Sequence, residues 1–206
     1  MESEELRAKN IEQIREVMRH RQQQRERLEH LLEVFTTRLY QGFEEAVTLA
    51  QHAGISNVGE PRYSNHPAGG WRRVMQIPIE DWRIVVVPLV GSAWPSLRDE
   101  AMIPGSFFKE PCARLAFFLL QQDDPQCTAF YDVIILIDSS WFAWGYGWPK
   151  QQDDVENTNF TNLALDLLAS FTKDIHLTWQ PRAETTLASA MDPKRRAYRF
   201  GLPGEE

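Results

Sequence analysis

The sequence predicts an α+β fold, in which a mainly antiparallel sheet of about five strands is packed by helices and preceded by a long N-terminal helix with coiled-coil character. Three observations predict this class. Residues 3–51 contain no proline and a single glycine, Gly42, as expected of a helix. Five later runs are rich in β-branched and aromatic residues and are separated by turn residues. Residues 156–173 then return to a helical periodicity.

The first helix carries an apolar stripe whose members are three or four residues apart. A heptad register places Arg21 and Arg25 at core positions, which weakens a continuous coiled coil and allows a hinge near residues 22–24. We expect the half from Leu28 onward to pack on the domain and the N-terminal half to project toward a partner. The alternative is that the first ~20 residues form a frayed, solvated arm. The residues expected to form the interaction helix are Ile11, Ile14, Met18, Leu28, Leu32 and Phe35.

The first two strands are predicted as a hairpin. Residues 52–70 hold two prolines and four glycines and are predicted to be a connecting loop. The runs 71–79 and 82–87 follow, with Glu80 and Asp81 as the turn between them. Pro78 lies in the first run and indicates an edge strand, because proline lacks the backbone donor that a central strand needs. The second run is apolar on both faces and is predicted to lie inside the sheet.

The next segment is ambiguous. Residues 91–111 are a long connection with a possible short helix over residues 96–102, after Pro95. Long loops in compact domains are often functional. Residues 112–122 fit a strand or a helix by periodicity. We favour a strand paired with the run from Cys127, because turn residues close the segment and a strand follows.

The central hairpin joins a strand over residues 127–137, apolar on both faces, to an aromatic strand. In the second strand one face carries Ala143, Gly145 and Gly147. The opposite face can be a stacking platform for a flat or cationic ligand, or a core face packed against the helix at residues 156–173. Core packing is the more frequent use of such residues. The candidate ligand-binding residues on this face are Phe142, Trp144, Tyr146 and Trp148.

The expected domain organisation is a helical arm over residues 1–52, an α+β domain over residues 53–180 and a tail over residues 181–206. A short strand is expected at residues 175–179, just before the tail. The tail carries a basic cluster and is expected to dock loosely.

Bulk properties exclude some classes of function. The net charge of −7 argues against a general nucleic-acid binder, although a local basic patch at residues 15–27 remains open for an acidic or nucleic-acid contact. Cys112 and Cys127 lie in apolar runs without metal-type spacing and are expected to be buried thiols. The acidic, polar N-terminus does not resemble a signal peptide, and no apolar run reaches the ~18 residues of a membrane span. We therefore expect a cytoplasmic protein without membrane partners.

No catalytic motif is present in the sequence, and we expect neither a metal nor another cofactor. Asp138, Ser139 and Ser140 are expected to build the turn between the central strands. The sequence therefore favours a non-enzymatic interaction or adaptor module, which self-associates or docks to a larger protein partner through its N-terminal helix. The alternatives are a small-ligand sensor at residues 142–148 and a metal-dependent nuclease or hydrolase that uses Asp132, Asp138 or Asp81.

Overall fold

The computed structural model describes residues 2–92, 94–95, 111–145, 152–174, 185–194 and 199–200. Three helices are present in this part of the chain: α1 (Glu2–His52), α2 (Phe160–Asp174) and α3 (Leu187–Ala190). The strands in chain order are β1 (Arg62–Asn65), β2 (Arg73–Ile79), β3 (Trp82–Pro88), β4 (Trp94–Pro95), β5 (Ala113–Leu120), β6 (Tyr131–Ile135), β7 (Ser140–Gly145), β8 (Gln152–Asp154) and β9 (Arg199–Phe200).

Helix α1 runs without interruption through residues 22–24, where the sequence allowed a hinge. The absence of proline and of helix-breaking residue pairs accounts for this continuity. At ~1.5 Å per residue the helix is about 77 Å long, more than a small domain can cover. Its second half, from Leu28, lies in the core, and its first half extends beyond it.

The main sheet has seven strands in the order β1-β2-β3-β5-β6-β7-β8, and every neighbouring pair is antiparallel. The predicted number of about five is therefore too low. The two additional strands are the short edges: β1 lies within the predicted loop at residues 52–70, and β8 lies between the aromatic strand and the helix predicted at residues 156–173. Neither has strand-like apolar alternation, because edge strands of three or four residues bury little. Strands β4 and β9 form a separate two-residue parallel pair.

Pro78 does not mark an edge. Strand β2 lies between β1 and β3, and Pro78 pairs in register with Arg83 of β3. Strand β1 covers β2 only over Arg73–Gln76, so Pro78 lies beyond its end. The Pro78 carbonyl accepts a hydrogen bond from the Gly59 amide at 2.8 Å, on the side away from β3. The missing donor therefore falls where no strand neighbour requires it.

The hairpin assignments are otherwise confirmed. Strands β2 and β3 meet at Glu80, which adopts a positive φ of 52°. Residues 112–122 contain strand β5, which pairs with β3 on one side and with β6 on the other. Strands β6 and β7 form the central hairpin. Helix α2 begins at Phe160, four residues after the predicted start.

The principal core lies between the sheet and a layer formed by α1 and α2. Phe35 of α1 makes edge-to-face contacts with Trp141 of β7 and Phe160 of α2, with ring centroids 5.3 and 5.0 Å apart. Arg38 ties the same helices together, because it donates to the Val155 carbonyl at 2.8 Å and lies over the Phe160 ring.

Gly42 permits the close contact between the two helices. A Cβ atom at this position would lie 2.5 Å from the carbonyl oxygen of Phe160, nearer than any side-chain carbon can approach. Gly42, the one glycine of α1, is therefore the point at which the backbones of α1 and α2 come into contact.

The second face of the sheet carries a smaller core of residues from β2, β3 and β5, and α3 contributes Ala190 to it. The segment 185–194 belongs to the expected tail, and its backbone pairs with Thr128 through Thr186. His66 accepts from the Ala68 amide at Nδ1 and so donates from Nε2 to the Ala190 carbonyl at 2.9 Å. The short helix expected at residues 96–102 and the strand expected at 175–179 lie outside the described residues.

Candidate functional site

Within the part of the chain that the structure describes, the most exposed apolar surface lies on the first half of α1. We call residues 2–27 the arm and residues 28–52 the core half. Among the described residues, eight large hydrophobic side chains are exposed, and five of them lie on the arm. These five form the arm stripe: Leu6, Ile11, Ile14, Val17 and Met18, each more than half exposed. Isolated exposed apolar residues are ordinary, whereas these five lie on one helix within 13 residues of each other.

The six residues expected to form the interaction helix fall into two groups. Ile11, Ile14 and Met18 are 51%, 62% and 63% exposed. Leu28, Leu32 and Phe35 are at most 1% exposed and pack in the principal core. Both groups follow the same spacing of three and four residues. One stripe therefore faces the sheet over the core half and is uncovered over the arm.

The boundary between the arm and the core half is held by polar contacts. Arg27 donates from Nε to the Ile137 carbonyl at 2.6 Å, and this carbonyl lies in the turn between β6 and β7. Glu29 accepts from the indole nitrogen of Trp71 at 3.0 Å and pairs with Arg72. These contacts hold Arg27, the last residue of the arm, against the domain. The earlier turns of the arm extend away from the domain.

A cavity of about 500 Å³ lies at this boundary. Its lining combines charged residues of α1 with Trp71 and with backbone at the start of the 91–111 connection. The lining residues are Arg25, Glu26, Leu28, Glu29, His30, Glu33, Trp71, Gly91, Ser92 and Ala113. Arg72 pairs with Glu29 and lies 5.0 Å from the centre of the Trp71 ring, so Glu26 and Glu33 are the lining carboxylates suited to an added cationic group.

The basic patch expected at residues 15–27 is solvated. Arg19, Arg21 and Arg25 are exposed, and Arg15 pairs with Glu12 of the preceding turn at 3.4 Å. Exposed pairs of this kind contribute little to stability. The charges therefore remain accessible to a partner.

The aromatic strand is described only in part. Phe142 is 3% exposed and pairs in register with Ile134, and Trp144 lies in β7 opposite Asp132. Tyr146 and Trp148 lie outside the described residues. The interpretation that the Phe142 side packs on the helix at residues 156–173 is wrong. Trp141 and Ala143, on the other side of β7, belong to the core with α1 and α2.

The prediction failed because the helices pack on the face of β7 with the smaller residues and not on the face with the larger aromatic ones. The helices lie on the side of β7 that carries Ala143 and Gly145, where small side chains allow close packing on the sheet. Trp141 occupies the end of this side and donates from its indole to Thr158 at 2.7 Å. Two residues that line the cavity, Ala113 and Leu28, belong to the core on the helix side of the sheet. The cavity and Phe142 therefore lie on opposite faces of the sheet.

A buried ion pair on the second face was missed from the sequence. Arg114 of β5 and Asp132 of β6 are joined at 2.9 Å, and their side chains are 1% and 3% exposed. Burial raises the pKa of the Asp132 carboxyl, and the Arg114 guanidinium opposes that shift. Each residue is the one charge in an otherwise apolar strand. Opposite charges in two strands predicted to pair were the available signal.

The three aspartates proposed for metal-dependent hydrolysis occupy different settings. Asp132 is held by Arg114, and Asp81 lies in the turn between β2 and β3. Asp138 accepts hydrogen bonds from the Ser140 amide at 3.0 Å and hydroxyl at 2.6 Å, and Ser139 has a φ of 72°. The predicted turn role of Asp138 and its serines is confirmed. Within the described ranges, no three His, Cys, Asp or Glu side chains group as a metal site.

The cysteines behave differently from each other. Cys112 is buried, whereas Cys127 is partly exposed with a thiol 3.5 Å from the Leu119 carbonyl. Burial raises the pKa of the Cys127 thiol, so its thiolate is disfavoured at neutral pH.

No helix in the part of the chain that the structure describes is both long and apolar enough to cross a membrane. Comparison with protein-family models, with curated proteins and with solved structures gives no match to this chain.

Proposed function

We propose that this protein is a non-enzymatic interaction module whose arm is an assembly element, by which the domain associates with itself or docks onto a larger protein. The observation that carries the proposal is the division of one apolar stripe into a buried and an exposed part. Leu28 and Leu32 are covered by the sheet, whereas Ile14 and Met18 present the same face to solvent.

The length of the arm supports the same function. Most helical stability in proteins comes from packing of an apolar face, and the apolar face of the arm is exposed. The arm spans about 39 Å at ~1.5 Å per residue, enough for several turns of contact with a partner helix or groove. A covered stripe would remove Ile11, Ile14 and Met18 from water and stabilise the arm at the same time.

The experiment compares two single-residue variants by light scattering and by hydrogen exchange of the arm amides. Ile14→Glu places a carboxylate on the arm stripe, and Gln23→Glu places the same group on the opposite side of the arm. We expect the Ile14→Glu variant to have a lower molar mass in solution and to lose amide protection at residues 11–18. The Gln23→Glu variant should match the parent in both measurements.

A second measurement detects a partner protein that is not another copy of this chain. A photo-crosslinking amino acid replaces Met18 or, as the control, Gln23 in cells that produce the protein. Crosslinks specific to position 18 are expected. A monomeric chain with unprotected arm amides and identical crosslinks at the two positions would reject the proposal.

A small-ligand sensor is the second candidate function. The observation in its favour is the cavity of about 500 Å³, which falls within the size range of ligand sites, ~300–1,000 Å³. Glu26 and Glu33 of its lining are suited to an amine, and Trp71 lies near enough to report its binding. The test is a fluorescence titration with aliphatic amines. A saturable change that disappears in Trp71→Phe supports the sensor, and an unchanged spectrum removes it.

A further inference from the structure

We infer that the occupant of the arm stripe is the arm of a second copy of this chain, paired in the antiparallel orientation. This inference rests on the proposed function and names the partner and its direction. It uses the position of the sheet, the charges along the arm and the two arginines in the stripe.

The position of the sheet disfavours a parallel pair. A helix that covers Ile14 and Met18 lies on the same side of α1 as the sheet, because Leu28 and Leu32 continue that stripe with a drift of only ~20° per heptad. In a parallel, in-register pair each copy would bring its sheet toward the other at residue 28. The two domains would then compete for one volume. An antiparallel pair places them at opposite ends of the paired arms.

The arm has an acidic first segment and a basic second segment, so two arms that run in opposite directions have complementary charges. Residues 2–14 hold four glutamates against one arginine and one lysine, a net charge of −2. Residues 15–27 hold five arginines against two glutamates, a net charge of +3 with His20 neutral. Antiparallel pairing sets the acidic segment of each arm beside the basic segment of the other. Parallel pairing sets like charges side by side along the whole contact.

The two arginines at core positions give a third reason. Arg21 and Arg25 continue the heptad spacing of Ile11, Ile14 and Met18, and both are exposed. In a parallel pair each arginine would face its own copy inside the seam. The same spacing extends back to positions 7 and 4, an arginine and a glutamate. In an antiparallel pair with Ile14 at its middle, Arg25 falls opposite the glutamate at position 4, and only Arg21 keeps an arginine as its neighbour. A polar residue in a seam is a known means of specifying orientation.

Antiparallel pairing is also a closed arrangement. Both copies use the same surface, as a two-fold axis requires, so assembly stops at a dimer. The paired region would contain the apolar residues Ile11, Ile14 and Met18 near its middle and charged segments at both ends. Because the ends are solvent-exposed, the association should weaken as salt increases.

The test is a cycle of charge reversals measured by sedimentation over a concentration series. The acidic-segment variant carries Glu4→Lys, the basic-segment variant carries Arg25→Glu, and a third variant carries both. Each reversal alone should raise the dimer dissociation constant at least about three-fold, and the two together should restore it to within a factor of about two. Glu16→Lys changes charge on the opposite side of the arm and should leave the constant unchanged.

Each outcome has one meaning for the inference. Loss in both partial variants with recovery in the combined variant supports the antiparallel pair. A dimer that is indifferent to all reversals overturns it, and so does a combined variant that stays as weak as the partial ones. A wild-type chain that remains monomeric also overturns it. In that last case, crosslinks specific to Met18 with a different protein leave the proposed function standing, and their absence rejects both.

Discussion

The two halves of helix α1 share one sequence pattern and have opposite environments. In the core half, Leu28, Leu32 and Phe35 are at most 1% exposed, whereas Ile14 and Met18 of the arm are more than 60% exposed. The difference teaches that helical periodicity defines an apolar face but not what covers it. The sheet and α2 cover the core half, and the arm extends past the place where they end.

The two halves also differ in how they are anchored. The core half makes aromatic contacts through Phe35 and a polar contact through Arg38, and the hydroxyl of Tyr40 lies 2.8 Å from the Arg73 carbonyl. The described contacts of the arm are short-range ones within the helix, such as Arg15 with Glu12, until Arg27 reaches the domain. The following variants test whether the two halves are energetically as different as they are in exposure.

Leucine-to-alanine substitutions in the two halves should differ most. Leu32→Ala removes a fully buried side chain and should lower the free energy of unfolding by about 2–5 kcal/mol. Leu6→Ala makes the same change at a position that is 61% exposed and should alter it by less than about 0.5 kcal/mol. Urea denaturation at one low protein concentration measures both, since assembly would otherwise add to the apparent stability of the arm. Equal losses would contradict the division of the helix.

Gly42→Ala should separate helix propensity from packing. Propensity alone favours alanine by about 1 kcal/mol inside a helix. The new Cβ atom would meet the Phe160 carbonyl oxygen at 2.5 Å, and overpacking of this kind costs about 1–3 kcal/mol. We therefore expect a net loss of stability by thermal or urea unfolding.

Ala8→Gly is the matched control for that variant. It makes the reverse change in the arm, where propensity alone acts, and should reduce arm helicity by circular dichroism while leaving the unfolding midpoint of the domain in place. A Gly42→Ala protein more stable than the parent would mean that α1 and α2 do not touch at this position.

Arg27→Ala should have the smallest effect on the free energy of unfolding. It tests the contact at the boundary between the arm and the core half. Loss of its hydrogen bond to the Ile137 carbonyl should cost about 1 kcal/mol in urea unfolding. Arg21→Ala removes the same side chain from an exposed position nearly two turns earlier and should cause no measurable loss of stability. An Arg27→Ala variant as stable as the parent would mean that the contact with the Ile137 carbonyl does not anchor the end of the arm.

The parts of the fold that were predictable from the sequence are those with a dense apolar pattern. The N-terminal helix, the β2–β3 hairpin and the central β6–β7 hairpin follow from periodicity. Strands β1 and β8 were missed because they are short edges with little buried surface. Pro78 was misinterpreted because its consequence depends on how far β1 extends along β2, which is a long-range property.

The candidate site divides in the same way. Ile11, Ile14 and Met18 were identifiable as a stripe, yet nothing in their spacing distinguishes them from Leu28, Leu32 and Phe35. The Arg114–Asp132 pair was visible only as two separate charges in apolar strands. Its existence depends on the register of β5 against β6, which places Asp132 opposite Ala116.

The sequence by itself determined the helix, the alternation of the strands, the turn built on Asp138 and the lack of familiar catalytic motifs, because these depend on residues close together along the chain. The tertiary structure decided which half of α1 is covered, which side of β7 receives the helices, how the two buried charges meet and why residue 42 is glycine. These depend on segments far apart in sequence, whose contacts arise only when the sheet and helices close around one core.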